Sequence, residues 1–150
     1  MIIGTGIDLV DVPRFERTVT RTPRLLERLF APSERGMRIP SLAARYAAKE
    51  ALIKALGGSD GVHWTEIEIA SEPSGRPHFV LSGSTAAVVR DRGIDRVHLT
   101  LSHDAGLATA FVIAESLPDA RPAVTPGAAG AGASAPGAPA LDAPTPEEVP

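Results

Sequence analysis

Apolar and small residues alternate from Ile2 to Val10, placing Gly4, Gly6, Asp8 and Val10 on one side and Ile3, Thr5, Ile7 and Leu9 on the other, which predicts a strand. Asp11 then caps a predicted helix with Pro13 in its first turn; Pro23 breaks the run, and Arg24 and Arg28 fall in a further short helix. Pro32-Ser33-Glu34 opens another helical turn. Helix-favouring residues from Pro40 to Gly57, with Ser41 as cap, predict a long helix over about 42–56. Alternation returns at Trp64–Ala70, with Trp64, Glu66, Glu68 and Ala70 on one side, and at His78–Leu81. The Ser74-Gly-Arg-Pro turn makes these a hairpin. A short helix over Ser84–Arg92 and two apolar strands, Arg96–Ser102 and Gly106–Glu115, complete the pattern. The sum is an α+β fold: one antiparallel sheet packed on a long central helix.

Polar groups that break this pattern are the candidate chemistry. Asp8 sits within an apolar strand, on a face that glycines strip of side chains, where another backbone or a ligand can approach. A carboxylate there is unfavourable unless something compensates its charge. Glu50 lies among alanines in the long helix, with Ala47 and Ala51 beside it and Lys54 one turn on. Two such carboxylates suit a hard divalent cation, since magnesium takes one or two protein carboxylates and completes its shell with water and phosphate oxygens. On the residues alone, Glu50 and Lys54 also read as a solvated ion pair, Lys49 as a solvated lysine, and His103 as a turn histidine.

Composition narrows the classes. The chain has 150 residues and no cysteine, so disulfide frameworks, thiolate chemistry and Cys-ligated zinc are excluded. The histidines at 63, 78, 98 and 103 lack helical ligand spacing. There is no apolar run of the roughly 20 residues a membrane span needs, and no leader pattern, so a cytoplasmic protein without membrane contact is expected. Residues 1–54 carry ten bases and six acids, residues 55–118 four bases and eight acids. The basic half predicts an acidic partner. Its cations include Arg14, Arg17 and Arg21 at helical spacing, with Glu16 the one acid among them. Of residues 119–150, 21 are Ala, Pro or Gly. Such a segment buries too little surface to offset its ordering entropy, so the expected organisation is a folded domain over 1–117 and a disordered tail over 118–150.

Three stretches together, Gly6-Ile-Asp8-Leu-Val, Ala47-Ala-Lys-Glu50-Ala-Leu-Ile-Lys54-Ala-Leu-Gly57 and Leu101-Ser-His103, resemble the holo-[acyl-carrier-protein] synthase family, the small bacterial phosphopantetheinyl transferases. The resemblance covers residues 1 to about 117. It implies that Asp8 and Glu50 bind magnesium with the pyrophosphate of coenzyme A, and that Lys54, Ser102 and His103 contact phosphate. It implies carrier docking by Arg14 and Arg21, and transfer of the phosphopantetheine arm to a serine of apo acyl carrier protein, releasing adenosine 3′,5′-bisphosphate. A homotrimer with active sites between subunits and a place in fatty-acid and lipid biosynthesis are also implied. Glu50 and Lys54 then carry the catalysis, with a water held by the metal and Glu50 taking the serine proton. The chain departs from the family at Tyr46, where Phe or Trp is common, and at Gly58-Ser59-Asp60-Gly61, which puts an acid near the expected phosphates.

Other classes fit less well. Gly4-Thr-Gly6 begins a dinucleotide fingerprint, but the third glycine falls at Leu9. The basic stripe is short and aromatic residues are few, which disfavours nucleic acid. The remaining alternative is a carrier- or phosphate-binding module of the same fold without turnover.

Overall fold

The computed structural model describes residues 1–118. The expected disordered tail lies, from residue 119 on, outside the described residues.

Strand β1 (Ile2–Asp11) pairs antiparallel with β5 (Leu107–Glu115), which pairs antiparallel with β4 (Arg96–Asp104). The inner face of β5 is Ala108, Ala110, Val112 and Ala114, all buried. Helix α3 (Ile39–Ala55) lies across this face and that of β1. It packs close because both sides are small: Ala47, Ala51 and Ala55 on the helix, Gly4 and Gly6 on β1. A Cβ on Gly6 would stand 2.8 Å from the backbone nitrogen of Ala55 and closer still to the carbonyl oxygen of Ala51. The glycines expected to admit another backbone therefore admit that of α3.

Helix α1 (Val12–Arg21) starts where Asp11 accepts the N–H of Arg14 at 2.7 Å, with Pro13 in the first turn, as the sequence predicts. It buries Phe15 and Val19, and the short helix α2 (Arg24–Leu29) leads into the fully buried Phe30. No helix among the described residues is long and apolar enough to cross a membrane.

Four expectations are corrected. First, α3 begins before residue 42: Arg38 is at the cap without a side-chain bond, and Pro40 occupies the first turn, where its missing N–H leaves no gap in the ladder. Ser41 is inside the helix. Second, the strand expected from Trp64 begins at Ile67 (β2, Ile67–Ser71), because Trp64–Glu66 forms a 3₁₀ turn. There Trp64 stacks on Tyr46, and Glu66 accepts from the N–H of Thr85 at 2.8 Å and the hydroxyl of Ser84 at 3.0 Å. These bonds, that of the Thr85 N–H above all, hold the Glu66 carboxyl below its usual range and fasten the start of α4 (Gly83–Asp91). Third, the strands form two sheets, because β2 pairs only with β3 (Pro77–Leu81). Alternation specifies which face of a strand is buried and is silent on its neighbour.

Fourth, Lys49 is fully buried instead of solvated. Its ammonium donates to Glu34 at 2.7 Å, to the Leu29 carbonyl at 2.8 Å and to that of Trp64 at 3.2 Å, and lies 4.8 Å from the Phe30 ring centre. Burial pushes the ammonium below the usual lysine range, and Glu34 partly restores it. Glu34 also accepts the N–H groups of Ala31 and Ile69. Removing one partner of such a pair strands a buried charge, at a cost of about 3–5 kcal/mol. The pair ties α3 to β2 and to the turn after α2, and it does no chemistry in the cleft.

Candidate active site

Register places Asp8 on the inner face of β1, opposite Ala110 of β5 and facing α3. Two turns of α3 carry Tyr46, Glu50 and Lys54 at four-residue intervals, so all three follow one helix face. The strand and the helix touch at Gly4 and Gly6 and part beyond them. Beyond Gly6 the strand bears Asp8, and the space its carboxylate enters is open to solvent.

That space is a cleft of about 570 Å³. Asp8, Glu50, Asp11 and Arg14 line its polar side, and Phe15, Leu25, Leu29 and Tyr46 its apolar side; Leu9 and Leu107 stand at its rim. Lys54 donates to Asp8 Oδ1 at 2.7 Å and to the carbonyl of Ile7 at 3.0 Å. Its side chain is half exposed, so the pair adds at most about 1 kcal/mol to stability. Glu50 accepts from the hydroxyl of Tyr46 at 3.5 Å. Burial raises the Tyr46 phenol above its usual value, and the charges of Glu50 and then Asp8 raise it further. The phenol thus stays a donor, and both carboxylates act on this one hydroxyl.

The structure brings together Asp8, Glu50, Lys54 and Arg14. It does not bring Ser102 and His103 to them within one chain. Both are exposed near the tip of the β4–β5 hairpin and neither lines the cleft. Ser102 stands opposite Thr109, on the outer face of the sheet, while Asp8 is on the inner face. Arg21 is exposed at the end of α1, outside the cleft lining. Asp60 is likewise exposed, in the loop after α3. The apolar wall was not foreseen; Phe15, Leu25 and Leu29 look like ordinary amphipathic core positions in sequence. Tyr46 had one available signal, its position four residues before Glu50.

Three carboxylates, the Arg14 guanidinium and an apolar wall line one open cleft, and Lys54 reaches it through its bond to Asp8, a lining suited to an amphiphilic ligand. The chain belongs to the 4′-phosphopantetheinyl transferase superfamily, whose model matches residues 4–112. It is 56% identical over 115 residues to the holo-[acyl-carrier-protein] synthase of Clavibacter sepedonicus, covering 77% of this chain and 97% of the relative. Among solved structures it resembles the holo-[acyl-carrier-protein] synthase of Neisseria meningitidis, with a TM-score of 0.73, 32% identity, and coverage of 77% of this chain and 100% of the other. The Helicobacter pylori holo-[acyl-carrier-protein] synthase in complex with coenzyme A matches with a TM-score of 0.67 and 33% identity, covering 74% of this chain and 99% of that one.

Proposed function

We propose that the chain transfers the 4′-phosphopantetheine arm of coenzyme A to a serine of an apo acyl carrier protein, releasing adenosine 3′,5′-bisphosphate. The observation that carries this reading is the convergence of Asp8 and Glu50 on one cleft, with Lys54 bonded to Asp8, in a chain of this superfamily. The serine Oγ bonds to the phosphorus that carries pantetheine. The bond from that phosphorus to the bridging oxygen breaks, and its electron pair leaves with adenosine 3′,5′-bisphosphate. Glu50 takes the serine proton through a water. Lys54 places a cation where negative charge grows on the separating phosphates.

Asp8 and Glu50 are suitable ligands for magnesium. Both are hard oxygen donors on one cleft, and Glu50 has Tyr46 as its sole hydrogen-bond partner among the described residues. No group of three or more acids and histidines forms among those residues, so the remaining positions would fall to water and substrate oxygens, the usual magnesium arrangement. When bound, the ion supplies positive charge against the pyrophosphate. Arg14, exposed beside the same cleft, docks the acidic carrier, with Arg21 about two turns further along the same face of α1.

The test is to incubate the chain with coenzyme A, magnesium and apo carrier. The expected result is a carrier heavier by one phosphopantetheine, and Arg14→Glu raises the carrier KM while leaving the coenzyme KM unchanged, with the contrast fading at high salt. Carrier binding with no mass gain would instead support the non-catalytic module.

The active unit is a homotrimer. Ile7, Leu9 and Phe111 are 62%, 63% and 40% exposed on the outer sheet face, where Ile7 stands opposite Phe111. An apolar patch of this kind marks an interface. Ser102, opposite Thr109, shares that face, whereas His103, opposite Ala108, is on the inner one; in the trimer the hairpin tip of a neighbouring copy supplies Ser102 and His103 to this chain's cleft. Light scattering should give three times the chain mass; Ile7→Glu should shift it to monomer with loss of transfer. Monomeric mass for the unmodified chain would refute this assembly.

A further inference from the structure

Tyr46 is braced on the cleft by two aromatic rings. Trp64 stacks on its ring at 5.3 Å with the planes 17° apart, and Phe15 lies against it at 5.6 Å. Contacts of this size fix the ring, so the position of the hydroxyl is set by the core and not by solvent. The carboxylate it meets is less constrained. The terminal torsion of a glutamate is broad, and no other donor among the described residues bonds to Glu50.

We infer that Tyr46 is a positioning residue for Glu50: its hydroxyl, 3.5 Å from Oε1 in a long hydrogen bond, biases the rotation of the carboxylate and leaves Oε2 for the cation. The inference rests on the magnesium reading of Asp8 and Glu50 above. A carboxylate has about four acceptor sites, so a single donor to one oxygen does not exhaust it. A phenol suits this task better than an ammonium or guanidinium would, because it brings no positive charge to compete with the metal. The rings of Trp64, Tyr46 and Phe15 then form a continuous brace from the 3₁₀ turn through α3 to α1, ending on the carboxylate.

A purely structural tyrosine would give a different result on substitution. Tyr46→Phe keeps the ring and both aromatic contacts and removes only the hydroxyl. The experiment is calorimetric titration of magnesium into the full chain with coenzyme A present and carrier absent, alongside thermal denaturation and steady-state transfer. Tyr46→Phe is expected to keep the wild-type Tm and to weaken magnesium binding about fivefold, the scale of one modest hydrogen bond to a charged group. The magnesium KM rises by the same factor, and kcat at saturating magnesium changes by less than about twofold. Unchanged magnesium affinity in Tyr46→Phe, beside normal binding in wild type, overturns the inference and leaves the metal site standing. If wild type binds no magnesium, or Glu50→Gln binds it normally, the metal reading falls and the inference with it.

Discussion

Glu50→Gln and Asp8→Asn are each expected to cut transfer by about 10²–10³-fold or more, the scale of losing one preorganised charge-stabilising contact. Both keep the shape of the side chain and remove its charge. The fold should be indifferent. Asp8 is paired with a half-exposed lysine, and Glu50 meets only a long hydrogen bond from Tyr46, so neither anchors the core. Stability should change by no more than about 1 kcal/mol in either case. The two variants differ in one respect: Asp8→Asn also frees Lys54, so its defect in coenzyme binding can differ from that of Glu50→Gln. Circular dichroism, melting and initial rates at limiting magnesium are the measurements. Wild-type turnover by either variant would remove that carboxylate from the mechanism.

Much of the fold and part of the site were legible in the sequence. The first strand, the capped helix after it, the hairpin and the two final strands follow from local alternation and turn chemistry, and they stand close to where these rules put them. Periodicity alone did not bring Asp8 and Glu50 together; the family resemblance paired them, and the sequence showed only that each lies beside small residues. Glycines at 4 and 6 and alanines at 47 and 51 are small on the faces that touch, a pattern that admits another backbone or a ligand, and the structure shows that the glycines admit the backbone of α3. What sequence could not supply is what each polar group meets across space. Lys49 and Glu50 are neighbours on one helix, yet Lys49 is sealed against Glu34 and Phe30 while Glu50 faces the cleft. Nothing local to residues 49 and 50 distinguishes these environments, because Glu34 arrives from a turn fifteen residues away. The Trp64 turn was hidden for a similar reason. Its residues alternate as a strand would, and the stacking on Tyr46 and the bond from Glu66 to α4 override that preference. Ser102 reads as near the site in the linear order of motifs, but the two-residue period of β4 turns it to the opposite face from Asp8.

Gly6→Ala is expected to be among the most damaging single-methyl changes in the described chain. The new Cβ would lie 2.9 Å from the carbonyl carbon of Ala51 and 2.8 Å from the nitrogen of Ala55, closer than real Cβ contacts come. Both obstacles are helix backbone, so no side chain can rotate away, and α3 must lift from β1. That lift opens contacts to Ala108, Ala110 and Val112, which are all but fully buried on the neighbouring strand. Overpacking that the surroundings can absorb costs about 1–3 kcal/mol, and backbone that cannot yield puts this site at about 3 kcal/mol or above. A Tm lower by more than about 10 °C follows for a domain of this size. Function should suffer before unfolding does. Asp8 is two residues beyond Gly6, and Glu50 directly precedes Ala51, so the lift separates the two carboxylates. Transfer should therefore be impaired well below the new Tm, with a raised magnesium KM as its mark. Gly36→Ala is the control, since a Cβ there meets nothing within 4 Å, and it should leave both Tm and rate unchanged. A Gly6→Ala variant that melts and turns over like that control would show that α3 does not rest on β1 through these glycines.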